Sequence, residues 1–403
     1  MTLVARFLVD DVLVLISDTL LSTETPLQQT PIPLPSVRSS EKHHGDSPTT
    51  MAGLVQKMTL IDNNAVLCFA GKYSLGREIL EYMKGRLSAG DHPEVAWKNM
   101  KRKFSLNDSS NVELIFEAMH PVGDGAVELV SKSVGLRRAD DNYRSFDKAI
   151  FAGSGAATAE AVLERSDCDP VREIEWRYER AVQRGLHVAA ELLNMDMRSS
   201  LTFDNHSGGF YEVAIWYGNK FKKIDGVQFA YWTIDIEEDA TSLTLDRILL
   251  QYYRDDMLCV DEVLVDDKLP TQLDLTVEQM LPIANVLHHR IPSLSQGYEA
   301  QEFELSGSTG FQQKLMVHCC RIRSVAGFST IATIISGKIQ SACDDDSIRI
   351  KESSVVLAKD IGRFLKDNLV EAMEVSKARM AEQYAYPKEQ GGLERIWRFF
   401  GGK

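Results

Sequence analysis

The chain has 403 residues, 44% hydrophobic and 26% charged, an ordinary balance for a globular protein and enough chain for two domains. Its formal charge of −13 repels polyanions, which argues against a general nucleic-acid or anionic-membrane binder while leaving room for a local basic site. The longest apolar runs, such as Val12 to Ile16 and Ile331 to Ile335, fall far short of the ~20 residues of a membrane span, and no secretory-leader pattern opens the chain.

Two apolar strands come first, ARFLV and VLVLIS, separated by Asp10 and Asp11, the pattern of a hairpin. The stretch from Leu21 to Thr50 holds five prolines and reads as a surface loop, in which His43, His44 and Asp46 are solvated rather than ligands. Strand character returns in QKMTLID and AVLCFAG. Ser74 is placed to cap a helix through SLGREILEYMKGRL, and a second helix covers PEVAWKNMKRKF. Strands NVELIFEAM, GAVELVSKSV and DKAIFAG follow, then helices ATAEAVLER and VREIEWRYERAVQRGLHVAAELLNM, then strand GFYEVAIWYG.

After about residue 225 a new set of elements begins. DGVQFAYWTIDIEE, LTLDRILLQYY and MLCVDEVLVDD read as strands, and TVEQMLPIANVLHHRI as a helix capped by Thr276. A strand pair, a helix from about Val355 to Gln383 and the tail LERIWRFFGGK complete the chain. Hairpins dominate over βαβ repetition, so the class is α+β, with domains expected at 1–225 and 226–403. Cys68, Cys168, Cys259, Cys319, Cys320 and Cys343 show neither a disulfide framework nor a zinc spacing, as expected of free thiols in a reducing cytoplasm. Gly153-Ser154-Gly155 before a helix lacks the remaining residues of a phosphate loop. His318-Cys319-Cys320 lies in a strand, where alternate side chains face opposite ways and cannot share one ion.

Thr2 is the residue with the most chemistry in reach. An α-amine has a pKa of about 7.7–8.0, so a threonine at a free amino terminus carries nucleophile and base together. A lysine to activate the hydroxyl, a carboxylate to fix that lysine and a backbone N–H for the oxyanion complete such a site. Asp18 ends the second strand of the hairpin and therefore returns to the neighbourhood of Thr2. Lys57 precedes a strand, and Gly71 ends the next one.

In these motifs the chain resembles the β-type subunits of the proteasome and their bacterial relatives, members of the N-terminal nucleophile hydrolases. The Thr2-to-Asp18 spacing, the K-x-x-x-I-D run from Lys57 to Asp62, Gly71 in AVLCFAG, Ser154 in FAGSG, and Asp204 and Ser207 in DNHSGG match in order. The resemblance implies a four-layer αββα sandwich, with a second α+β domain added behind it. It implies Thr2 as nucleophile and base, Lys57 lowering the hydroxyl's pKa, and Asp18 orienting Lys57. Ser154, Asp204 and Ser207 would hold the amine and a water, and Gly71 the oxyanion. Val55, Thr59, Phe69 and Tyr73 would line the substrate pocket. It implies a peptide or protein substrate, no cofactor and no metal, a homo-oligomer, an unfoldase or regulatory partner, and neither nucleic acid nor membrane as a partner. Activity requires removal of Met1; a chain that keeps it would be an inactive scaffold or regulatory subunit. The proline-rich loop is about two dozen residues longer than in the family, and Leu20 stands where an arginine is common.

Overall fold

The computed structural model describes residues 2–23, 50–107, 110–123, 126–138, 146–166, 177–197, 207–236, 241–266, 271–272, 277–296, 311–324, 329–337, 347–351 and 353–369. His43, His44 and Asp46, most of the proline-rich loop, Cys168, Asp204, Thr276, Cys343 and the aromatic tail lie outside these residues. The described protein is mixed α/β, mostly sheet, with five helices among the described residues.

β1 (Val4–Val9) and β2 (Val12–Asp18) form the expected hairpin, with Val9 opposite Val12. Asp10 and Asp11 have φ of 48° and 64°, the left-handed pair whose twist suits a two-residue hairpin. β3 (Leu20–Thr23) and β4 (Thr50–Leu54) pair at the two ends of the proline-rich segment. β5 (Met58–Ile61) and β6 (Ala65–Gly71) lead into α1 (Tyr73–Ser88) and α2 (Pro93–Lys103). Lys72, not Ser74, is the N-cap of α1 and makes no side-chain cap bond, because the helix already begins at Tyr73, directly after β6. His92 caps α2, its ring accepting from the Glu94 N–H at 3.2 Å, with Pro93 at the first helical position.

β7 (Val112–Gly123), β8 (Ala126–Val134), β9 (Arg137–Arg138) and β10 (Asp147–Ala152) follow, then α3 (Ala156–Ser166), α4 (Arg177–Asp196), β11 (Tyr211–Tyr217) and β12 (Lys220–Lys223). One sheet has the order β12-β11-β2-β1-β10-β9 and another β5-β6-β7-β8. Alternation along β1 sends Val4 and Leu8 into a cluster with Val66, Cys68 and Ile115 of the second sheet. Ala5, Phe7 and Val9 face the other way, onto α3 and α4. On the far side of the second sheet, Leu67, Phe69 and Phe116 pack with Ile79 of α1 and Trp97 of α2. Gly185 lets α4 approach the first sheet: a Cβ there would stand 2.8 Å from Val213 and 3.0 Å from Val14.

A third sheet is built from β13 (Val227–Ile236), β14 (Thr241–Arg254), β15 (Met257–Val265), β16 (Thr271–Gln272), β17 (Gln279–Ile291), β18 (Leu315–Ser324), β19 (Ser329–Gly337), β20 (Ile348–Ile350) and β21 (Ser354–Leu357). Its order is β19-β18-β13-β14-β15-β17-β21-β20, with β16 on β14. β13 and β18 run parallel; the other pairs are antiparallel. Two expectations fail here. The segment expected as a helix over 276–291 is strand β17, because Pro282 removes a helical donor and two neighbours, β15 and β21, offer ladders. The helix expected from Val355 starts only at 361, since 354–357 pairs as β21; α5 (361–369) follows it.

One face of this sheet, with Trp232, Ile248 and Met316, is covered by Ile361 and Leu365 of α5. The other face, with Phe229, Leu249 and Val317, shares a cluster with α4 and the first sheet. α4 is therefore packed on both sides, and even its Arg184, His187, Glu191 and Asn194 are buried. No helix among the described residues is long and apolar enough to cross a membrane.

Candidate active site

Asp18 closes β2 and, through antiparallel pairing, returns to the start of β1. Its N–H donates to the Leu3 carbonyl at 3.0 Å, and the Leu3 N–H donates to Asp18 Oδ1 at 3.0 Å. Lys57, just before β5, donates from Nζ to Asp18 Oδ1 at 2.7 Å, and the Gly208 N–H donates to Oδ2 at 2.7 Å. Both side chains of the ion pair are 0% exposed. Burial pulls the Lys57 ammonium below the ordinary lysine pKa, with Asp18 opposing. Burial pushes the Asp18 carboxyl up, and Lys57 and the two N–H donors pull it back.

Thr2 is 1% exposed, beside this pair. Its N–H donates to Ser154 Oγ at 3.3 Å, and its carbonyl accepts from the Gly155 N–H at 3.2 Å. The β10–α3 turn can come this close because Gly153 has φ of +88°. A Cβ there would stand 1.9 Å from the Thr2 carbonyl oxygen and 3.3 Å from Ala70, which sets the end of β6 next to Thr2. Gly71, the next residue, has φ of +110°, and a Cβ on it would stand 2.3 Å from the Asn111 carbonyl oxygen. Ser207 Oγ lies where a Cβ on Gly155 would be 2.6 Å away, and it has no hydrogen-bond partner among the described residues.

The structure thus brings Thr2, Asp18, Lys57, Ser154 and Ser207 together, with Gly71 alongside; Asp204 lies outside the described residues. Of the expected pocket residues, Val55 is fully buried and donates its N–H to the Thr19 carbonyl at 2.8 Å. Phe69 is buried with its ring over Gly76 of α1, where a Cβ would meet it at 2.6 Å. The Thr59 and Tyr73 hydroxyls are buried without partners among the described residues.

Three supporting residues escaped sequence reasoning. Glu113 accepts from the Gly153 N–H at 2.5 Å and fixes the turn under Thr2. Thr19 Oγ1 accepts from the Phe210 N–H at 2.9 Å, holding the 207–210 segment against β2. Asp196 accepts from the Tyr211 hydroxyl at 2.9 Å and crowds Gly208, where a Cβ would meet its Oδ2 at 2.7 Å. Only polar residues at strand and helix ends signalled them, and that signal is common. No group of three or more His, Cys, Asp or Glu side chains among the described residues is arranged to hold a metal ion.

Fold and site together define a mixed α/β chain with a buried threonine, aspartate and lysine gathered beside a glycine-rich turn. No protein-family description and no curated protein matches the chain. Among solved structures it is similar to eukaryotic HslV from Trypanosoma brucei, at 14% identity and a TM-score of 0.30, over 53% of this chain and 98% of that one.

Proposed function

We propose that the chain is an N-terminal-threonine peptidase of the N-terminal nucleophile type, active once Met1 has been removed. The observation that carries this is the buried Lys57–Asp18 pair, 2.7 Å apart, whose carboxylate accepts from the N–H of Leu3, the residue after Thr2. A buried lysine hydrogen-bonded to a carboxylate offers a positive charge and further N–H donors where the threonine hydroxyl would lose its proton.

In this mechanism the Thr2 hydroxyl oxygen attacks the peptide carbonyl carbon, and its proton passes to the freed Thr2 α-amine. The oxyanion is met by the Gly71 N–H. The carbonyl–nitrogen bond then breaks, the departing amine takes the proton, and an ester on Thr2 remains. Water, activated by the same amine, hydrolyses that ester and restores the hydroxyl. Ser154, which already accepts from the Thr2 N–H, and Ser207, whose hydroxyl has no partner among the described residues, would hold the amine and the water, together with Asp204. The packing of α3 and α4 residues with β1 and of α1 and α2 residues with β6 and β7 supports the αββα reading, in which the third sheet would be an added unit. Assembly through outer helices would need a surface other than α4, since α4 is covered.

A second reading is an inactive scaffold or regulatory subunit. The burial of Thr2 to 1% exposure favours it, since a substrate must reach that residue. A peptide carrying a threonine-directed electrophile decides between them. Labelling of Thr2 on both its oxygen and its nitrogen supports the peptidase. Absence of labelling on a chain shown to begin at Thr2 refutes it.

A further inference from the structure

The third sheet reaches into the candidate site. After β17 the chain turns through Pro292, Ser293, Leu294, Ser295 and Gln296, and this turn lies against Gln56, the residue before Lys57. The Gln56 N–H donates to the Pro292 carbonyl at 2.9 Å, and Gln56 pairs with Ser293 in a parallel bridge. The Gln56 side chain donates to the Ile291 carbonyl at 2.8 Å and to the Asp256 carbonyl at 2.7 Å. The turn is braced internally: Ser293 N–H donates to Gln296 Oε1 at 3.0 Å, and Gln296 N–H to the Ser293 carbonyl at 3.1 Å.

At its apex Leu294 is 1% exposed, and it belongs not to the core of its own sheet but to the cluster of β6 and α1. That cluster holds Phe69 and Ile79, with Tyr73 packed against it. Thr59, Ile61, Leu67 and Phe69 share one face of the second sheet by strand alternation and cross-strand register, the face on which this cluster lies. Two hydroxyls of this neighbourhood, Thr59 Oγ1 and Tyr73 Oη, are buried without partners among the described residues. A leucine borne by a distant segment, two unanswered hydroxyls and an apolar wall next to Lys57 are the makings of a side-chain recess already filled.

We infer that Leu294 is a specificity-determining residue: it occupies the apolar recess beside Lys57, so that peptides with a small residue on the acyl side of the cleaved bond are admitted and those with leucine or phenylalanine are not. This rests on the peptidase reading for its substrate class, and the third sheet thereby acts as one wall of the pocket.

The test uses the full chain beginning at Thr2 and two peptide amides that differ only in alanine or leucine before the scissile bond. Leu294→Ala should raise the leucine-to-alanine ratio of kcat/KM at least tenfold, and the milder Leu294→Val, which guards against a folding defect, about threefold. A second arm places the same changes in a Thr2→Ala background and measures binding of the two peptides by calorimetry. The leucine peptide should gain at least tenfold in affinity with Leu294→Ala. Unchanged ratios in both arms, for folded variants, overturn the inference. A binding gain without turnover in the first arm upholds the Leu294 assignment while removing the peptidase reading, so the two failures are distinguishable.

Discussion

Breaking the Lys57–Asp18 pair from either side should cost more than removing it whole. At 2.7 Å, and with an effective dielectric of about 20, the attraction is about 6 kcal/mol, against a desolvation penalty of several kcal/mol per ion. The pair as a unit is therefore close to neutral for folding, while either charge left alone is not. Lys57→Met leaves a buried carboxylate without its counter-charge, still accepting from the Leu3 and Gly208 N–H groups, and the expected loss is about 3–5 kcal/mol. Asp18→Asn keeps an acceptor for Lys57 but removes the negative charge that opposes the cost of burying its ammonium, with a loss of similar order limited by proton release from the lysine. The double variant leaves no charge unanswered, so its loss should fall short of the sum of the single losses by at least about 2 kcal/mol. Urea unfolding of the four proteins, followed by tryptophan fluorescence, measures the cycle. Additivity within about 0.5 kcal/mol would refute the claim that these two groups form one buried unit.

Three further outcomes follow from the same geometry. Gly153→Ala should disrupt folding and any Thr2-dependent activity, because the new methyl would overlap the Thr2 carbonyl and the residue's φ is +88°; solubility and thermal melting check it. Gly85→Ala, in α1 with nothing within 4 Å of a new Cβ, should stabilise by about 0.5–1 kcal/mol in urea unfolding. Burial raises Tyr211, Tyr231 and Tyr253 well above the ordinary tyrosine value of 10.0. The native state thus keeps protons that the unfolded chain loses, so the stability they contribute is complete below about pH 10 and is lost as pH rises beyond it. Ultraviolet titration should show these three ionising only on unfolding, and Tyr211→Phe should reduce the alkaline slope by about 1.4 kcal/mol per pH unit.

What was legible in the sequence is what is local. The Asp10–Asp11 break announced the first hairpin because two small acidic residues tolerate a left-handed turn between β-branched strands. The spacing from Thr2 to Asp18 was readable because a two-residue turn fixes the register of both strands. The segment 276–291 misled because Val277, Met280, Leu281 and Leu287 mimic helical spacing, and only partners distant in sequence, β15 and β21, make it a strand. The parallel pairing of β13 with β18, some ninety residues apart, left no local trace. Nor did the burial of Leu294 among residues of β6 and α1, or the bond from Gly153 to Glu113, both of which depend on tertiary packing.

The central claim is that a freed Thr2 does the chemistry, and one measurement addresses it directly. The intact mass of the purified protein is determined, and peptide cleavage is compared between that protein and Thr2→Ala. The expected result is a chain beginning at Thr2 that cleaves peptides, with a loss on the order of 10³-fold or more in the variant. A chain beginning at Thr2 that cleaves no peptide, or a Thr2→Ala variant that cleaves as well as its parent, would contradict it.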